Sequence, residues 1–325
     1  MKVLVDLSGT GVGARRQYEL LRKARPSLFV GSEGAATHII YWQSFTRDWK
    51  KLEQRRRTGK KIVARVGGFH HENAEATWRL LKVADGAIFV AEWLKNHLKT
   101  KRLLGKTWRL PPRRAVIRNG STWIGRRESD VPYLLIRNAQ IGNVGFKRGL
   151  NRAYSIWAMA QIWDQVRSRY PNLELWLLGD YARETKAKYA LPGWKWLGFK
   201  KNSRWYGQGA IALVHLVVGD FSPNTVCEAL GEGAPVIVPN VGGAAEVAGY
   251  GGRQVRFVRT GSRSFPNAEC GGKFYQIETA SLFGAVCDVV ENTQHWQLAV
   301  RDWWRRYVDV IGVAKRYERF LGGVR

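Results

Sequence analysis

The chain has 325 residues, with 53 Lys+Arg against 26 Asp+Glu for a formal net charge of +27, and it carries 15 Trp, 10 Pro and 3 Cys. At ~100–200 residues per domain this is one large domain or two ordinary ones, and a hydrophobic content of 45% excludes a disordered chain despite the charge. Cys227, Cys270 and Cys287 form neither a disulfide framework nor a paired-cysteine metal site, no apolar run reaches the ~18 residues of a membrane span, and the opening MKVLVDLSGTG lacks the features of a signal peptide, so a reducing, cytoplasmic setting is expected.

In chain order, Lys2–Leu7 reads as an apolar strand, followed by the glycine-rich turn 8–13 and a helix over Ala14–Lys23. Thr37–Tyr41 and Lys61–Val66 are strands, Asn73–Val83 a helix, Gly86–Val90 a strand and Trp93–Lys99 a helix. Ala115–Arg118 is a short strand before the Asn119-Gly120 turn. The polar stretch Ser121–Asp130 separates two domains, and the pattern then restarts. Tyr133–Ile136 is a strand, Leu150–Arg169 a long helix and Leu173–Leu178 a strand. Ile211–Val218 is a strand, Thr225–Gly231 begins a helix, and Pro235–Val238 is a strand. Such alternation implies parallel sheets covered by helices on both faces. The fold class expected is α/β, with two Rossmann-like doubly wound domains facing a cleft: residues 1–128, residues 129–305, and a final helix within 306–325.

Two segments could hold an anion. The turn Ser8-Gly9-Thr10-Gly11-Val12-Gly13 lets backbone N–H groups approach a phosphate or sugar, with Gly11 and Gly13 as the contact points. Its spacing is not that of a dinucleotide fingerprint. The second segment, residues 219–246, is GDFSPNTVCEALGEGAPVIVPNVGGAAE. Here Ser222-Pro223-Asn224-Thr225 opens a helix, so free amides and a positive helix end lie beside the carboxylates of Asp220 and Glu228. A diphosphate suits the amides. Sugar and ribose hydroxyls suit the ionised acids, which only accept hydrogen bonds.

This second segment resembles the retaining family-4 glycosyltransferases of the GT-B fold. Asp220, Glu228-Ala229, Gly233-Ala234-Pro235-Val236-Ile237 and Gly242-Gly243-Ala244-Ala245-Glu246 match that family's donor-site pattern in order and spacing, with Asp220 where Glu is usual. Val116-Ile117-Arg118-Asn119-Gly120 resembles the entry to the second domain, and Ile311–Leu321 the closing helix that crosses back to pack on the first domain. The resemblance implies sugar transfer from a nucleotide sugar with retention. In it, Asp220 positions sugar hydroxyls, Glu228 holds the ribose, and the Asn224 and Thr225 amides take the diphosphate with Arg137 and either Lys147 or Arg148. It also implies no resident cofactor. No DxD, HExxH or Cys/His set has metal-ligand spacing, so metal-independent transfer is expected.

The charge is uneven. Residues 1–150 hold 31 Lys+Arg against 11 Asp+Glu, whereas residues 201–250 hold two cations against four acids. In a GT-B enzyme the first domain binds the acceptor, which points to a polyanionic acceptor. Trp42, Arg47, Trp49, Arg55-Arg56-Arg57 and Arg65 interleave aromatics with cations, and a second cluster runs from Trp93 to Arg114. Such surfaces track phosphates and stack on an extruded base. The acceptor expected is a hydroxymethylated pyrimidine in DNA, as in phage-type DNA glycosyltransferases. Rival readings are a glycolipid or lipopolysaccharide on an anionic membrane and a non-catalytic nucleic-acid-binding protein. His70 and His71 follow a strand and a double glycine and are acceptor-side candidates, or merely loop contacts. His215 lies on an apolar strand just before the donor loop, either as a core histidine or as a neighbour of Asp220.

Overall fold

A computed structural model describes the chain except residues 9–11, 43–47, 68–73, 101–109, 138–153, 218–219, 221, 250–254, 268–271 and 325. Inside helices and strands, the side chains of residues 12, 97, 99, 100, 255, 261–267 and 272–275 are also outside the described set. The chain divides into two compact units, Met1–Gly120 with Asp309–Arg325, and Ser121–Val308.

The first unit is built on a parallel sheet in the order β1 (Val3–Asp6), β2 (His38–Tyr41), β3 (Lys61–Val66), β4 (Gly86–Phe89) and β5 (Arg113–Val116). A single parallel bridge from Phe29 to Val3 lies on the other flank of β1. The chain therefore leaves β1 to one side and returns to the other, making a topological switch point at the carboxyl end of β1 and β2, where open α/β sheets bind ligands. β2 and β4 are buried throughout and β3 nearly so. That is the signature of strands covered on both faces, and it explains why their sequences read as continuous apolar runs.

One face of this sheet packs Val3, Val5, Ile40, Val63 and Ile88 against the C-terminal helix Val310–Gly322. That helix presents Val310, Val313, Ala314, Tyr317 and Leu321, an apolar stripe of helical period. Asp309 starts it, its carboxylate accepting from the N–H groups of Ile311 and Gly312. The helix Trp49–Arg57 is a further element, and its sequence reads first as a cation–aromatic run. Asp48 caps it by accepting from Lys51 N at 2.9 Å.

The second unit has a six-stranded parallel sheet in the order β11 (Val255–Val258), β10 (Val236–Pro239), β9 (Ala212–Val214), β6 (Tyr133–Arg137), β7 (Glu174–Leu178) and β8 (Trp194–Gly198). Counted from β6, this is the 3-2-1-4-5-6 order of a Rossmann sheet, with its switch point between β6 and β9. Alternate residues serve alternate faces. Leu134 and Ile136 join Leu175, Leu177, Val214 and Ile237 in one core, while Tyr133 and Leu135 join Leu178, Leu213, Val236 and Val238 in the other. An antiparallel hairpin of β12 (Thr260–Asn267) and β13 (Gly272–Ile277) follows.

Two expectations about elements need correction. The stretch 150–169 is not one uninterrupted helix: residues 154–160 and Trp163–Arg169 are helical, with a turn between. At the turn Gln161 N bonds to both Trp157 O and Ala158 O, and Ile162 N bonds to Met159 O, so the ladder tightens to i→i−3. The strand expected over Ile211–Val218 is only Ala212–Val214. His215 N still bonds to Ile237 O at 2.9 Å; beyond it the chain leaves the sheet toward the donor-type segment.

Candidate active site

The site in the second unit is assembled where the switch point of its sheet lies. β6 ends at Arg137, and β9 leads through His215 and Asp220 to the eight-residue helix Asn224–Gly231. Pro223 is the residue before this helix and offers no side-chain cap. Proline there suits the first turn, whose leading amides have no intrahelical acceptor. The amino end of the helix thus carries positive potential at the carboxyl edge of the sheet.

Ser222 and Pro223 are buried, and Asn224 and Thr225 half-buried. His215 is buried. Its Nδ1 lies 3.5 Å from Thr225 Oγ1 and its Nε2 lies 3.7 Å from Asp220 Oδ2, too long for a hydrogen bond, so Nε2 has no partner among the described residues. Burial pushes the His215 pKa down to about 4, which keeps the ring neutral at pH 7. Asp220 is the open member of the group, with 38% of its side chain exposed.

Glu228 is buried. It meets Arg137 Nη1 at 3.2 Å, and the same guanidinium donates to Glu232, from Nη1 at 3.0 Å and also from Nη2. Arg204 closes the cluster, donating from Nε to Glu232 Oε1 at 3.1 Å and from Nη1 to Thr122 Oγ1 at 2.8 Å. Arg137 and Glu232 are both fully enclosed. Burial pushes the Glu232 carboxyl up, partly offset by Arg137 and Arg204. The two glutamates hold Arg137 in its charged form against the pull of burial. Arg137 therefore differs from the expectation: it is not an open cation awaiting a diphosphate but the buried partner of Glu228 and Glu232. Glu232 and Arg204 went unnoticed in the sequence. The available signal was the spacing of Glu228 and Glu232, which puts both on one helix face.

Several acceptor-side expectations also change. Trp42 is 1% exposed, stacked near Tyr317 with ring centroids 6.0 Å apart, and its Nε1 donates to Ala14 O at 2.8 Å, so it is a core residue and not an exposed stacking surface. Arg65 is equally buried, its guanidinium 4.2 Å above the Trp42 ring. Arg55, from the triple-arginine run, is buried and neutralised by Asp6 at 2.7 Å and Glu33 at 3.0 Å. Trp49 is half-buried beneath Arg79, 4.5 Å away. Gly13 is exposed at the second position of the helix Val12–Ala24. Gly11, Arg47, His70, His71, Lys147 and Arg148 lie outside the described residues. A basic depression of about 350 Å³, lined by Arg56, Arg57, Lys60 and Lys61 with Glu53 and Asp85, sits where β3 and β4 begin, at the edge opposite the first unit's switch point.

Among the described residues, no group of three His, Cys, Asp or Glu side chains is placed to hold a metal ion, and no helix is long and apolar enough to cross a membrane.

Comparison with known folds settles the architecture. Anabaena Alr3699/HepE, solved in complex with UDP-glucose, superposes with a TM-score of 0.65 at 16% identity, covering 99% of both chains. The fold is GT-B. A second GT-B neighbour is a glycosyltransferase from Rickettsia africae, with a TM-score of 0.65 at 13% identity over 99% of this chain and 98% of that one. A third is the pneumococcal O-GlcNAc transferase GtfA, solved with UDP and GlcNAc, with a TM-score of 0.62 at 13% identity over 95% of this chain and 60% of that one. Residues 141–265 match the family profile described as Glycosyl transferases group 1, a span that contains Asp220, Glu228 and Glu232. No curated protein sequence matches the chain.

Proposed function

We propose that this GT-B protein transfers a sugar from a nucleotide-diphosphate sugar to an acceptor hydroxyl, with retention at the anomeric carbon. The observation that carries the reading is the convergence of Asp220, Glu228 and the amino end of the helix Asn224–Gly231 on the switch point of a Rossmann-ordered sheet. The group 1 match across this segment, the UDP-glucose complex of one neighbour and the UDP and GlcNAc complex of another support it. The acceptor oxygen forms a bond to the anomeric carbon, whose bond to the diphosphate oxygen breaks. The electron pair leaves with the nucleoside diphosphate, whose oxygen also takes the acceptor proton. The protein's task is then electrostatic: amides near Asn224 and Thr225, with Lys147 or Arg148, receive the growing diphosphate charge. Asp220 orients sugar hydroxyls, and Glu228 accepts from the ribose while Arg137 fixes its carboxylate.

The acceptor in this reading is a hydroxymethylated pyrimidine in DNA. The first unit carries 30 Lys+Arg against 11 Asp+Glu, and a polyanion is drawn to that excess. Radiolabelled nucleotide sugars incubated with hydroxymethylated duplex, unmodified duplex and glycolipid liposomes test it. Label is expected in the hydroxymethylated duplex, and label in lipid alone refutes the DNA acceptor. Asp220→Asn and Glu228→Gln should each abolish transfer; full turnover in both removes the donor-site assignment.

A further inference from the structure

Among the described residues three arginines are buried, Arg55, Arg65 and Arg137, and they are not treated alike. Arg55 has two carboxylate partners, Asp6 and Glu33. Arg137 has two, Glu228 and Glu232. Arg65, with only 3% of its surface exposed, has none among the described residues. Its Nε donates to the Tyr317 hydroxyl at 3.0 Å, its Nη2 donates to Asn119 Oδ1 at 2.6 Å, and its face lies on the Trp42 ring. These partners are all neutral. A buried charge without a counter-charge is costly, and stacking on an aromatic ring compensates for only part of it. The ring also covers the face of the guanidinium, so its donors act only in the plane. Both N–H groups of Nη1 have no partner among the described residues.

A glycine stands beside that edge of the guanidinium. Arg65 is the penultimate residue of β3, and Gly67 follows the strand directly. A Cβ on Gly67 would stand 2.7 Å from Arg65 Nη1, so any side chain there would occupy the space the edge faces. Trp42 directly follows β2, so the group lies beside the first unit's switch point. Asn119 is next to Arg118 and Tyr317 next to Arg316; burial and Arg118 pull the Arg316 pKa down, and Asp309 acts against them.

We infer that Arg65 Nη1, under Gly67, is an oxyanion site that receives a phosphate group of the acceptor. A phosphate oxygen in the plane of the guanidinium would supply the missing counter-charge and use the idle N–H groups. The inference rests on the glycosyl-transfer reading for the identity of its ligand, and within that reading the phosphate belongs to the nucleic-acid backbone beside the reacting base.

The test is thermal denaturation of the full chain in potassium phosphate against potassium chloride at matched ionic strength. At tenfold saturation, phosphate should raise the wild-type Tm by roughly 3–6 °C. Gly67→Asp, which places a carboxylate against Nη1, and Arg65→Met should both lose that shift. Gly67→Asp keeps the question answerable should Arg65→Met fail to fold. No shift in the wild type, or an undiminished shift in Gly67→Asp, overturns the site. A hydroxymethylated oligonucleotide should displace phosphate; displacement by anionic phospholipid vesicles alone overturns the nucleic-acid source. Transfer of label from nucleotide sugar to the hydroxymethylated duplex, unmodified duplex and glycolipid liposomes is measured in parallel. An Arg65-dependent shift with label transferred to none of them leaves the site standing and counts against glycosyl transfer, and transfer without a shift does the reverse.

Discussion

Replacing Arg137 by Met should destabilise the second unit far more than removing a surface arginine. The Arg137 side chain is 3% exposed, that of Glu232 is fully enclosed, and that of Glu228 is 8% exposed. Taking away one member of a buried ion pair costs about 3–5 kcal/mol, because the remaining charge stays buried without a partner. Arg204 still reaches Glu232 Oε1, so the lower end, ~3 kcal/mol, is expected. For a unit of this size that lowers Tm by roughly 6–12 °C. Scanning calorimetry of wild type, Arg137→Met, Glu232→Gln and the double variant measures it. The double variant should recover part of the loss, since a neutral amide at 232 needs no cation while Glu228 still loses Arg137, giving a coupling of about 1–3 kcal/mol. The gap between wild type and Arg137→Met should also narrow as pH falls from 7 to 5. Burial already holds the Glu232 carboxyl above its ordinary range, and without Arg137 it protonates more readily. A loss below about 1 kcal/mol, or strictly additive effects in the double variant, would refute the cluster as a buried charge network.

Two further outcomes follow from the same region. His215 has a folded pKa of about 4 against an ordinary 6.5, so unfolding takes up a proton as the pH drops, and stability present above pH 6.5 is lost progressively down to pH 4. The loss attributable to this ring is about 3 kcal/mol. Urea denaturation at pH 7, 5.5 and 4.5 should show a steeper decline in wild type than in His215→Gln, and parallel declines contradict a buried neutral ring. Gly207→Ala should destabilise by about 1–3 kcal/mol or more, because its Cβ would overlap the Glu232 carboxylate. A Tm equal to wild type would mean that the cluster relaxes without cost.

How far the sequence could be read depended on how local the signal was. β3 coincides with the expected Lys61–Val66, a mostly β-branched and apolar run bounded by Gly59-Lys60 and Gly67. The C-terminal helix differs from its expected span by one residue at each end, because an apolar stripe of period 3.6 fixes it. Trp49–Arg57 was hidden because its cations suggest a binding surface, and only Asp48 marks the cap. β8, β11 and the β12–β13 hairpin carry weak patterns of their own, and pairing with neighbours defines them.

By itself, the sequence determined the α/β alternation, the fold class, the spacing of Asp220 and Glu228, and the concentration of positive charge toward the first half. Each of these is written in neighbouring residues or in simple counts. The tertiary structure decided which charges are exposed and which are buried and paired. Arg55 meets Glu33 across 22 residues, Arg137 meets Glu232 across 95, and Arg65 meets Tyr317 across 252. Whether a guanidinium is solvated, paired or left without a counter-ion depends on what the fold places beside it, and local sequence does not encode that distance.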